Sequence, residues 1–367
     1  MDNAVGAEMS GGTDLTVDRR GALGLATLAR PARLNAISVS MRAQLADWFP
    51  VQARDPGVYA VMIRSALERV FSVGGDVREI VDLVRLDRSA ARAALGAELE
   101  LCWLLECFSK PTVSFIDGKV MGTGVGITLY GTHRIAGEGY RFSMPETAIG
   151  YFPDCGVSHA FARMPHGIGL FLGLTGAEVG PADALALGLV THTVPRTELD
   201  AISAHLAEAD PVDPLLDKRQ TALGEGPIMG AAERIQRYFD APFLTDVLAR
   251  LEKPREADRD WARQTLALLR ARSPLALCLT FRAIVSAAGL DLRETLCQDF
   301  RLAWRLIEDG DFLEGARAVL LEKNRQPRWR HERVEDVPAG LIEDYFAPLG
   351  TDELALPMRS EMQSRRA

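Results

Sequence analysis

The chain has 367 residues, which is enough to bury a large core in one large domain or two. Its formal net charge of -8 argues against nucleic acid or an anionic membrane surface as the main partner. The sequence shows neither a secretory signal pattern nor a run of about 18 apolar residues, so we expect a cytosolic protein without a membrane span.

Short apolar segments alternate with helical segments in the first half of the chain, which predicts an α/β domain. Helices are indicated where apolar residues recur at a spacing of three or four, and strands where short apolar runs are bounded by turn residues. The expected elements are a strand at 23–28, a helix at 38–48, a strand at 59–63, helices at 77–84 and 99–108, and a strand at 112–116. The same order recurs through 131–142, so we expect stacked ββα turns.

The second half of the chain, after Pro195, changes to long helical segments joined by polar connectors. Helix starts are predicted by an N-cap serine before proline at Ser273 and by capping boxes at Asp291 with Glu294 and at Asp311 with Glu314. The expected organisation is a flexible N-terminus at 1–14, a ββα core at 15–200, a helical region at 201–350 and a tail at 351–367.

The five cysteines show neither C-x-x-C spacing nor an even count. This pattern argues against a disulfide framework and against a zinc site, so we expect free thiols in a reducing compartment.

Two glycine-rich turns are candidates for binding an anionic oxygen. The sequence F-S-V-G-G-D at 71–76 precedes the predicted helix at 77–84, where backbone amides could hold an oxyanion. A plain strand-to-helix turn with Asp76 as the cap is the alternative for this segment.

The sequence M-G-T-G-V-G at 121–126 follows a strand, and its small residues would let a ligand approach the backbone. A structural turn and a dinucleotide fingerprint are the alternatives. The fingerprint is disfavoured because Ile127 stands where its last glycine belongs.

Two carboxylates, Glu146 and Asp154, lie eight positions apart and each follows a proline, so both are expected in turns near one cavity. Their alternative roles are a helix-start acid and an ordinary turn residue. Ser158 in G-V-S-H at 156–159 is a further candidate, as a serine nucleophile, but Ala160 stands where the nucleophile-elbow motif requires glycine.

The order and spacing of these motifs resemble the crotonase (enoyl-CoA hydratase/isomerase) superfamily over roughly residues 15 to 350. The matching segments are R-P-A-R-L-N-A at 30–36, F-S-V-G-G-D at 71–76, the run from Lys110 to Gly126, S-M-P-E-T-A-I-G-Y-F-P-D at 143–154, and the late segment at 311–329. Within the superfamily, the pattern is most similar to the branch of 3-hydroxyisobutyryl-CoA hydrolases.

The resemblance implies a spiral of ββα turns with a helical C-terminal region, and hydrolysis of an acyl-CoA thioester. It places the two oxyanion-binding N–H groups at Gly75 and Thr123. It also makes Glu146 the base or the nucleophile, and Asp154 the residue that orients the substrate hydroxyl or shares a proton. Glu98 falls at a further position associated with the hydrolase site.

The resemblance further implies where coenzyme A, as part of the substrate, is bound. The binding residues are Leu34, Asn35, Ala36, Gly74 and Gly122, and Arg30 or Arg33 lies near the phosphates. No metal or redox cofactor is implied, and trimers or dimers of trimers are the implied assembly.

Two departures from the family pattern concern substrate choice. Thr123 replaces an oxyanion-turn glycine, and C-G-V-S replaces V-G-G-G after Asp154. Gly126 stands where hydratases carry their first catalytic glutamate, which disfavours simple two-glutamate hydration. An enoyl-CoA hydratase or isomerase and a non-catalytic CoA-ester binding protein remain the alternatives.

Overall fold

Two sheets organise the first half of the chain in the computed structural model, which describes residues 14–309 and 311–364. The strands are β1 Leu15–Arg20, β2 Leu23–Leu28, β3 Ala60–Ser65, β4 Val70–Ser72, β5 Thr112–Ile116, β6 Lys119–Met121, β7 His133–Ala136, β8 Arg141–Ser143 and β9 His192–Thr193. The larger sheet has the order β1-β2-β3-β5-β7-β9, and the smaller sheet has the order β4-β6-β8. Apart from the antiparallel pair β1–β2, the strand pairs are parallel.

Successive strands enter the two sheets alternately, which produces the spiral. β3 and β4, then β5 and β6, then β7 and β8 each place one strand in the larger sheet and the next in the smaller sheet. Parallel neighbours of this kind need a crossover between them, and helices supply it after β4 and β6. The predicted α/β class and the stacked ββα turns are therefore confirmed.

Helices surround the sheets and make up most of the second half of the described chain. They are α1 Val39–Arg54, α2 Val77–Leu86, α3 Arg88–Glu106, α4 Thr123–Gly126, α5 Val157–Phe161, α6 Ile168–Thr175, α7 Pro181–Ala186, α8 Leu199–Ala207, α9 Val212–Asp217, α10 Pro227–Gly230, α11 Ala232–Phe239, α12 Leu244–Glu252, α13 Arg259–Arg270, α14 Pro274–Ala287, α15 Leu292–Asp309, α16 Asp311–Gly315, α17 Ala339–Phe346 and α18 Arg359–Ser364. A 3-10 helix at Glu146–Ile149 and a π-helical turn at Ala316–Leu321 matter for the site below.

Two helices are longer than their apolar periodicity predicts. α1 begins after the N-cap Ser38 as expected, but it continues through Pro50 to Arg54 because Trp48 and Phe49 are held in the core. α3 begins at Arg88, well before residue 99. Asp87 caps it by accepting a hydrogen bond from the Ala90 N–H at 3.0 Å, and the alanine-rich first turns favour helix without a marked apolar face.

The predicted helix starts in the second half have different outcomes. The Ser273 hydroxyl accepts from the Ala276 N–H at 3.0 Å, and Asp291 and Glu294 form the reciprocal capping box, so both predictions are confirmed. The box at Asp311 and Glu314 is wrong. Asp311 accepts instead from the Ser273 hydroxyl at 2.6 Å, and Glu314 pairs with Arg317.

The larger sheet is covered by apolar side chains on both faces, and the strands alternate between them with the two-residue period of β-structure. Leu23 and Leu25 of β2 pack with Met62 and Phe115 against α8 and α9, whereas Leu28 of β2 faces the main core with α1. Burial on both faces leaves the smaller sheet and the strand-to-helix turns as the places where a ligand can reach the backbone.

Residues 1–13 of the predicted flexible N-terminus and residues 365–367 of the predicted tail lie outside the described residues. The boundaries at 200 and 350 stay predictions. No helix within residues 14–309 or 311–364 combines the length and the apolar character that crossing a membrane requires.

Candidate active site

A cavity of about 500 Å³ lies between the ββα core and the helices that follow it. Most of its lining residues are apolar or glycine, with a small number of charged groups among them, as is usual for small-molecule sites. Eight of the predicted site residues line it, and they are Ala36, Gly74, Gly75, Glu98, Gly122, Thr123, Glu146 and Asp154. The fold thus brings together residues that span more than a hundred positions of the sequence.

The two glycine-rich turns meet at this cavity. Gly74 and Gly122 have φ of 99° and 45°, in the left-handed region that favours glycine. A Cβ at Gly122 would lie 3.3 Å from Glu146 Oε1 and 3.9 Å from the Gly75 nitrogen, so these three residues converge. Thr123 begins α4, and neither its N–H nor that of Gly75 has a hydrogen-bond partner among the described residues. Two free amides therefore flank the Glu146 carboxyl.

Glu146 is buried at the start of the 3-10 helix that follows Pro145. Its Oε2 atom has no hydrogen-bond partner within the described chain, although it is enclosed. Burial, followed by the charge of Asp154, raises the pKa of Glu146 well above its ordinary value. This carboxyl group is consequently poised to take up a proton at a pH where a surface glutamate could not.

Asp154 is partly buried on the turn between the 3-10 helix and α5. Burial, with the neighbouring charge of Glu98 as the next cause, raises the pKa of Asp154 to about 7. The charge of Asp154 also raises the pKa of Glu146, so the protonation of Glu146 depends on the state of Asp154.

Glu98 also lines the cavity, and its carboxyl group has more protein partners than that of Glu146. Arg42 of α1 donates to Glu98 Oε2 in a buried ion pair, and the Thr123 hydroxyl donates to Glu98 Oε1. The Cys155 thiol lies 3.5 Å from the same Oε1 atom. The threonine that replaces the family glycine therefore directs its side chain to Glu98, while its N–H stays unpaired.

Gly126, where the resemblance expects a glutamate in hydratases, has no space for a side chain. A Cβ there would lie 2.8 Å from the Cys155 sulfur and 3.0 Å from the Cys102 sulfur. A second carboxyl group consequently reaches the cavity from α3 and not from α4.

The remaining predicted binding residues lie near the cavity entrance or behind it. Leu34 and Asn35 are not among the lining residues. The buried Asn35 amide donates to the Ser65 hydroxyl at 2.9 Å and to the Phe71 carbonyl at 3.0 Å, and so holds the loop in place. Arg30 is engaged by Asp14 and Asp76, whereas the exposed Arg33 lines the cavity. The Asp76 cap of α2, the plain alternative for this turn, is also present.

Several lining residues were missed by the sequence reasoning. The buried side chains of Arg42 and Tyr151 line the cavity. The last turn of α15 contributes Ile307 to its wall, and the segment after α15 contributes Phe312, Val319 and Leu320. The exposed cations Arg78 and Lys323 join Arg33 on its lining. In the sequence, the late segment at 311–329 carries a capping-box pattern and part of the family pattern, but its apolar spacing carries no sign of a cavity wall.

The alternative chemistries fit this geometry less well. Ser158 is buried in α5 and does not line the cavity, which removes the support for a serine nucleophile. α4 has only four residues, too short for the helix that follows a dinucleotide-binding turn.

Glu98, Asp154 and Cys155 place possible metal ligand atoms within 4.8 Å of one another. Arg42 already neutralises Glu98, and a hydrogen bond with Cys102, with burial, raises the pKa of the Cys155 thiol, which disfavours the thiolate that a metal would need. The expectation that the site needs no metal stays a prediction.

Comparison with known proteins agrees with the geometry. Residues 23–346 match the family model described as enoyl-CoA hydratase/isomerase. 3-Hydroxyisobutyryl-CoA hydrolase 1 of Arabidopsis thaliana is 32% identical over 97% of both chains. The mitochondrial 3-hydroxyisobutyryl-CoA hydrolase of Xenopus tropicalis is 33% identical over 92% of this chain and 90% of its own.

Solved structures show the same fold. An enoyl-CoA hydratase from Rhodobacter sphaeroides superposes with a TM-score of 0.88 at 35% identity, over 94% of this chain and 100% of its own. A carnitinyl-CoA dehydratase from Mycobacterium thermoresistibile superposes with a TM-score of 0.87 at 32% identity, over 94% and 99%. The chain therefore belongs to the enoyl-CoA hydratase/isomerase family and has its crotonase fold.

Proposed function

We propose that this protein hydrolyses the thioester of a short 3-hydroxyacyl-CoA, with 3-hydroxyisobutyryl-CoA and water giving 3-hydroxyisobutyrate and coenzyme A. The observation that carries the proposal is the convergence of Glu146 with the unpaired amides of Gly75 and Thr123 in one cavity. Near full-length similarity to proteins named as such hydrolases supports the same reaction.

The amides act on the thioester oxygen. As the carbonyl carbon is attacked, negative charge develops on that oxygen, and the N–H groups of Gly75 and Thr123 stabilise it because they are fixed and shielded from water. Loss of one such donor typically lowers the rate by about 10² to 10³.

Glu146 activates the attacking group. In one route its carboxylate removes a proton from water, the water oxygen bonds to the carbonyl carbon, and the carbon–sulfur bond breaks to release the thiolate. In the other route, a Glu146 oxygen bonds to the carbonyl carbon first, the carbon–sulfur bond breaks to release the thiolate, and water then cleaves the resulting anhydride to give the free acid and restore Glu146. In both routes Asp154 orients the substrate hydroxyl or returns a proton to the leaving thiolate.

The coenzyme A moiety occupies the entrance of the cavity. Arg33, Arg78 and Lys323 supply positive charge there for its phosphates, even though the whole protein is acidic. A local cluster of this kind acts within the screening length of about 8 to 10 Å. Backbone contacts from the loop at Leu34 and Asn35 are part of the same proposal.

Hydration or dehydration of an enoyl-CoA is the second candidate, because the two superposed structures are named as a hydratase and a dehydratase. Gly126 disfavours this reaction because no side chain fits at the position where hydratases carry their first glutamate. Glu146 would then need a second acid from another element of the fold.

Product analysis distinguishes the two reactions. Purified protein is incubated with 3-hydroxyisobutyryl-CoA, and free thiol and enone absorbance are followed together. Thiol release without enone absorbance is the expected result. A change in enone absorbance without thiol release would assign hydration or dehydration, and saturable binding with no change in either signal would assign a non-catalytic CoA-ester binding protein.

Three further expectations belong to this proposal. The reaction requires no metal or redox cofactor, so activity is unchanged after dialysis against a chelator. The chain forms trimers or dimers of trimers, which light scattering measures. It acts in the cytosol, which imaging of the tagged protein in its host would test.

A further inference from the structure

Arg42 has an unusual position for an arginine. It lies on α1, lines the active-site cavity and is only 2% exposed. Its Nη1 atom donates to Glu98, but its Nε and Nη2 atoms are enclosed and have no hydrogen-bond partner within the described chain. A buried charged group that lacks partners costs free energy, so two unpaired donors on one guanidinium group call for an explanation.

The two unpaired nitrogens lie on the same edge of the guanidinium plane. Nε–H and the neighbouring Nη2–H point side by side, at the spacing of the two oxygens of a carboxylate, which is the geometry of bidentate recognition. The Glu98 contact occupies the other nitrogen, and therefore leaves this edge intact for a second acceptor.

Tyr151 supplies a further donor to the cavity. Its buried hydroxyl lines the cavity and makes no hydrogen bond of standard geometry within the described chain, but it lies near enough to Asp154 to act as a weak donor that partly offsets the rise that burial causes in the pKa of that carboxyl group. Arg42 contacts Glu98 directly, and Tyr151 lies close enough for the Glu98 charge to act on its hydroxyl, so both side chains belong to the same inner part of the cavity. The Nε and Nη2 atoms of Arg42 are therefore the donors of this region that lack an acceptor within the described chain, and the Tyr151 hydroxyl lies in the same cavity.

A single 3-hydroxyl group would supply one acceptor oxygen, and that oxygen is the partner proposed for Asp154. A terminal carboxylate would supply two more oxygens and a negative charge. Glu98 is paired with the Nη1 atom of Arg42, so a second carboxylate could pair with the Nε and Nη2 atoms of the same guanidinium group.

We propose that the inner end of the cavity recognises an acyl chain that ends in a carboxylate, with the Nε–Nη2 edge of Arg42 as its bidentate partner and the Tyr151 hydroxyl beside it. The substrate class is then the mono-CoA thioester of a short 3-hydroxydicarboxylic acid. This assignment rests on the proposed thioester hydrolysis of a short 3-hydroxyacyl-CoA, and it makes an acyl group that ends in a carboxylate a better substrate than the 3-hydroxyisobutyryl group.

A matched pair of substrates tests the assignment. 3-Hydroxyglutaryl-CoA and 3-hydroxyvaleryl-CoA have acyl chains of five carbons and differ in a terminal carboxylate against a terminal methyl group. Since a hydrogen bond to a charged group discriminates by about 10- to 100-fold, the wild-type kcat/KM is expected to favour the carboxylate by that factor. Equal values, or a preference for the methyl group, would overturn the assignment.

The variant Arg42→Lys separates recognition from folding. Lysine keeps a cation beside Glu98 but has no planar edge, so the preference is expected to fall at least tenfold while 3-hydroxyvaleryl-CoA is still cleaved. Arg42→Met removes both the planar edge and the cation beside Glu98. If this variant is folded, its preference for the carboxylate substrate is expected to be lost as well. Arg33→Met is the matched control, because loss of a charge at the entrance lowers kcat/KM for both substrates alike. An unchanged preference in Arg42→Lys would contradict the assignment.

Binding of inert analogues keeps the two proposals apart. Thioether analogues of both substrates, with CH₂ in place of the carbonyl group, are titrated into wild type and Arg42→Lys. Selective binding that depends on Arg42, without any thiol release from the thioesters, would uphold the pocket and reject hydrolysis. Thiol release without selectivity in either assay would uphold hydrolysis and reject the pocket.

Discussion

Three of the carboxyl groups that line the cavity, Glu98, Glu146 and Asp154, have different neighbours. Arg42 compensates the charge of Glu98, whereas burial, followed by the charge of a neighbouring acid, raises the pKa of Glu146 and the pKa of Asp154. A pair of acids whose pKa values are raised toward neutrality is the arrangement that lets one carboxyl group accept a proton while the other donates it. The acid–base chemistry proposed for this site follows from that difference.

Asp154 makes the protein less stable as the pH rises. Its pKa is about 7 in the folded protein, whereas the ordinary value is 3.8. Above about pH 4 the unfolded chain loses this proton while the folded chain keeps it, so the free energy of unfolding falls until the folded group also titrates near pH 7. Asparagine does not titrate, so the variant Asp154→Asn should not show this loss. Between pH 5 and pH 8, its free energy of unfolding is expected to rise relative to that of wild type by on the order of 2 to 3 kcal/mol.

Denaturant unfolding of both proteins at a series of pH values measures this gain. Asp47→Asn, at an exposed position of α1, makes the same chemical change outside the cavity and reports the effect of the substitution itself. If the difference in unfolding free energy between Asp154→Asn and wild type does not change with pH, then Asp154 has the same pKa in the folded and the unfolded protein.

Several residue roles could be predicted from the sequence, and others could not. Glu146 and Asp154 stood out because prolines flank them and the family pattern spans them, and the structure places both at the cavity. The ion pair of Arg42 with Glu98 joins positions 56 residues apart on two helices. No local spacing marks such a contact, because it depends on how α1 and α3 pack.

The turn between β6 and α4 shows how a short element can position a site. Gly122 adopts φ of 45° and ψ of -127° at the N-cap of α4, and Thr123, the first residue of that helix, lines the cavity. This conformation strains any residue that has a side chain.

We expect Gly122→Ala to lower the free energy of unfolding by about 1 to 2 kcal/mol and the rate of thiol release by about 10- to 100-fold. The added methyl group would lie 3.3 Å from both Glu146 Oε1 and the Gly74 Cα, so it would displace the turn or the carboxyl group. Gly224→Ala is the control, because that position is exposed and a Cβ there meets nothing within 4 Å. Thermal unfolding and thiol release are measured on both variants, and equal effects would contradict the role of the turn.

At the scale of elements, the buried strands and the glycine turns were predictable because they carry strong local signals. The central strand β5 has the predicted bounds, at Thr112–Ile116. The early start of α3 was not predictable from periodicity, since its alanine-rich first turns pack closely without forming a clear apolar stripe. Glu98 consequently lies in the interior of α3, whereas the sequence placed it just before a helix.

The helical second half of the molecule contributes to the cavity wall and packs against the 3-10 helix that carries Glu146. Gly150 and Gly315 allow the 3-10 helix of Glu146 and α16 to approach backbone to backbone. A Cβ at Gly315 would lie 2.2 Å from the Ile149 carbonyl oxygen, and one at Gly150 would lie 2.3 Å from the Asp311 carbonyl oxygen. The C-terminal region is therefore coupled mechanically to the proposed catalytic carboxyl group.

Gly315→Ala is expected to weaken both stability and activity. Insertion of a methyl group into this contact should cost about 1 to 3 kcal/mol of unfolding free energy and shift the Glu146 segment, with a loss of thiol release of at least tenfold. Gly340→Ala on α17 is exposed and meets nothing within 4 Å, so it should be neutral or slightly stabilising. Full activity in Gly315→Ala would show that α16 does not position Glu146.

On the scale of the whole molecule, the fold class was predictable because the motifs follow one another in the order of the ββα turns. The contribution of residues 307–323 to the cavity wall was not predictable, because an apolar helix face does not reveal which part of the protein it packs against.

The most direct test of the central claim compares Glu146→Gln with wild type in two assays on the same preparations. Glutamine keeps the size of the side chain and removes its ability to accept a proton or to attack the thioester. We expect thiol release from 3-hydroxyisobutyryl-CoA to fall by at least about 10², while the affinity for its thioether analogue stays within about twofold. Thiol release at the wild-type rate by Glu146→Gln would contradict the account.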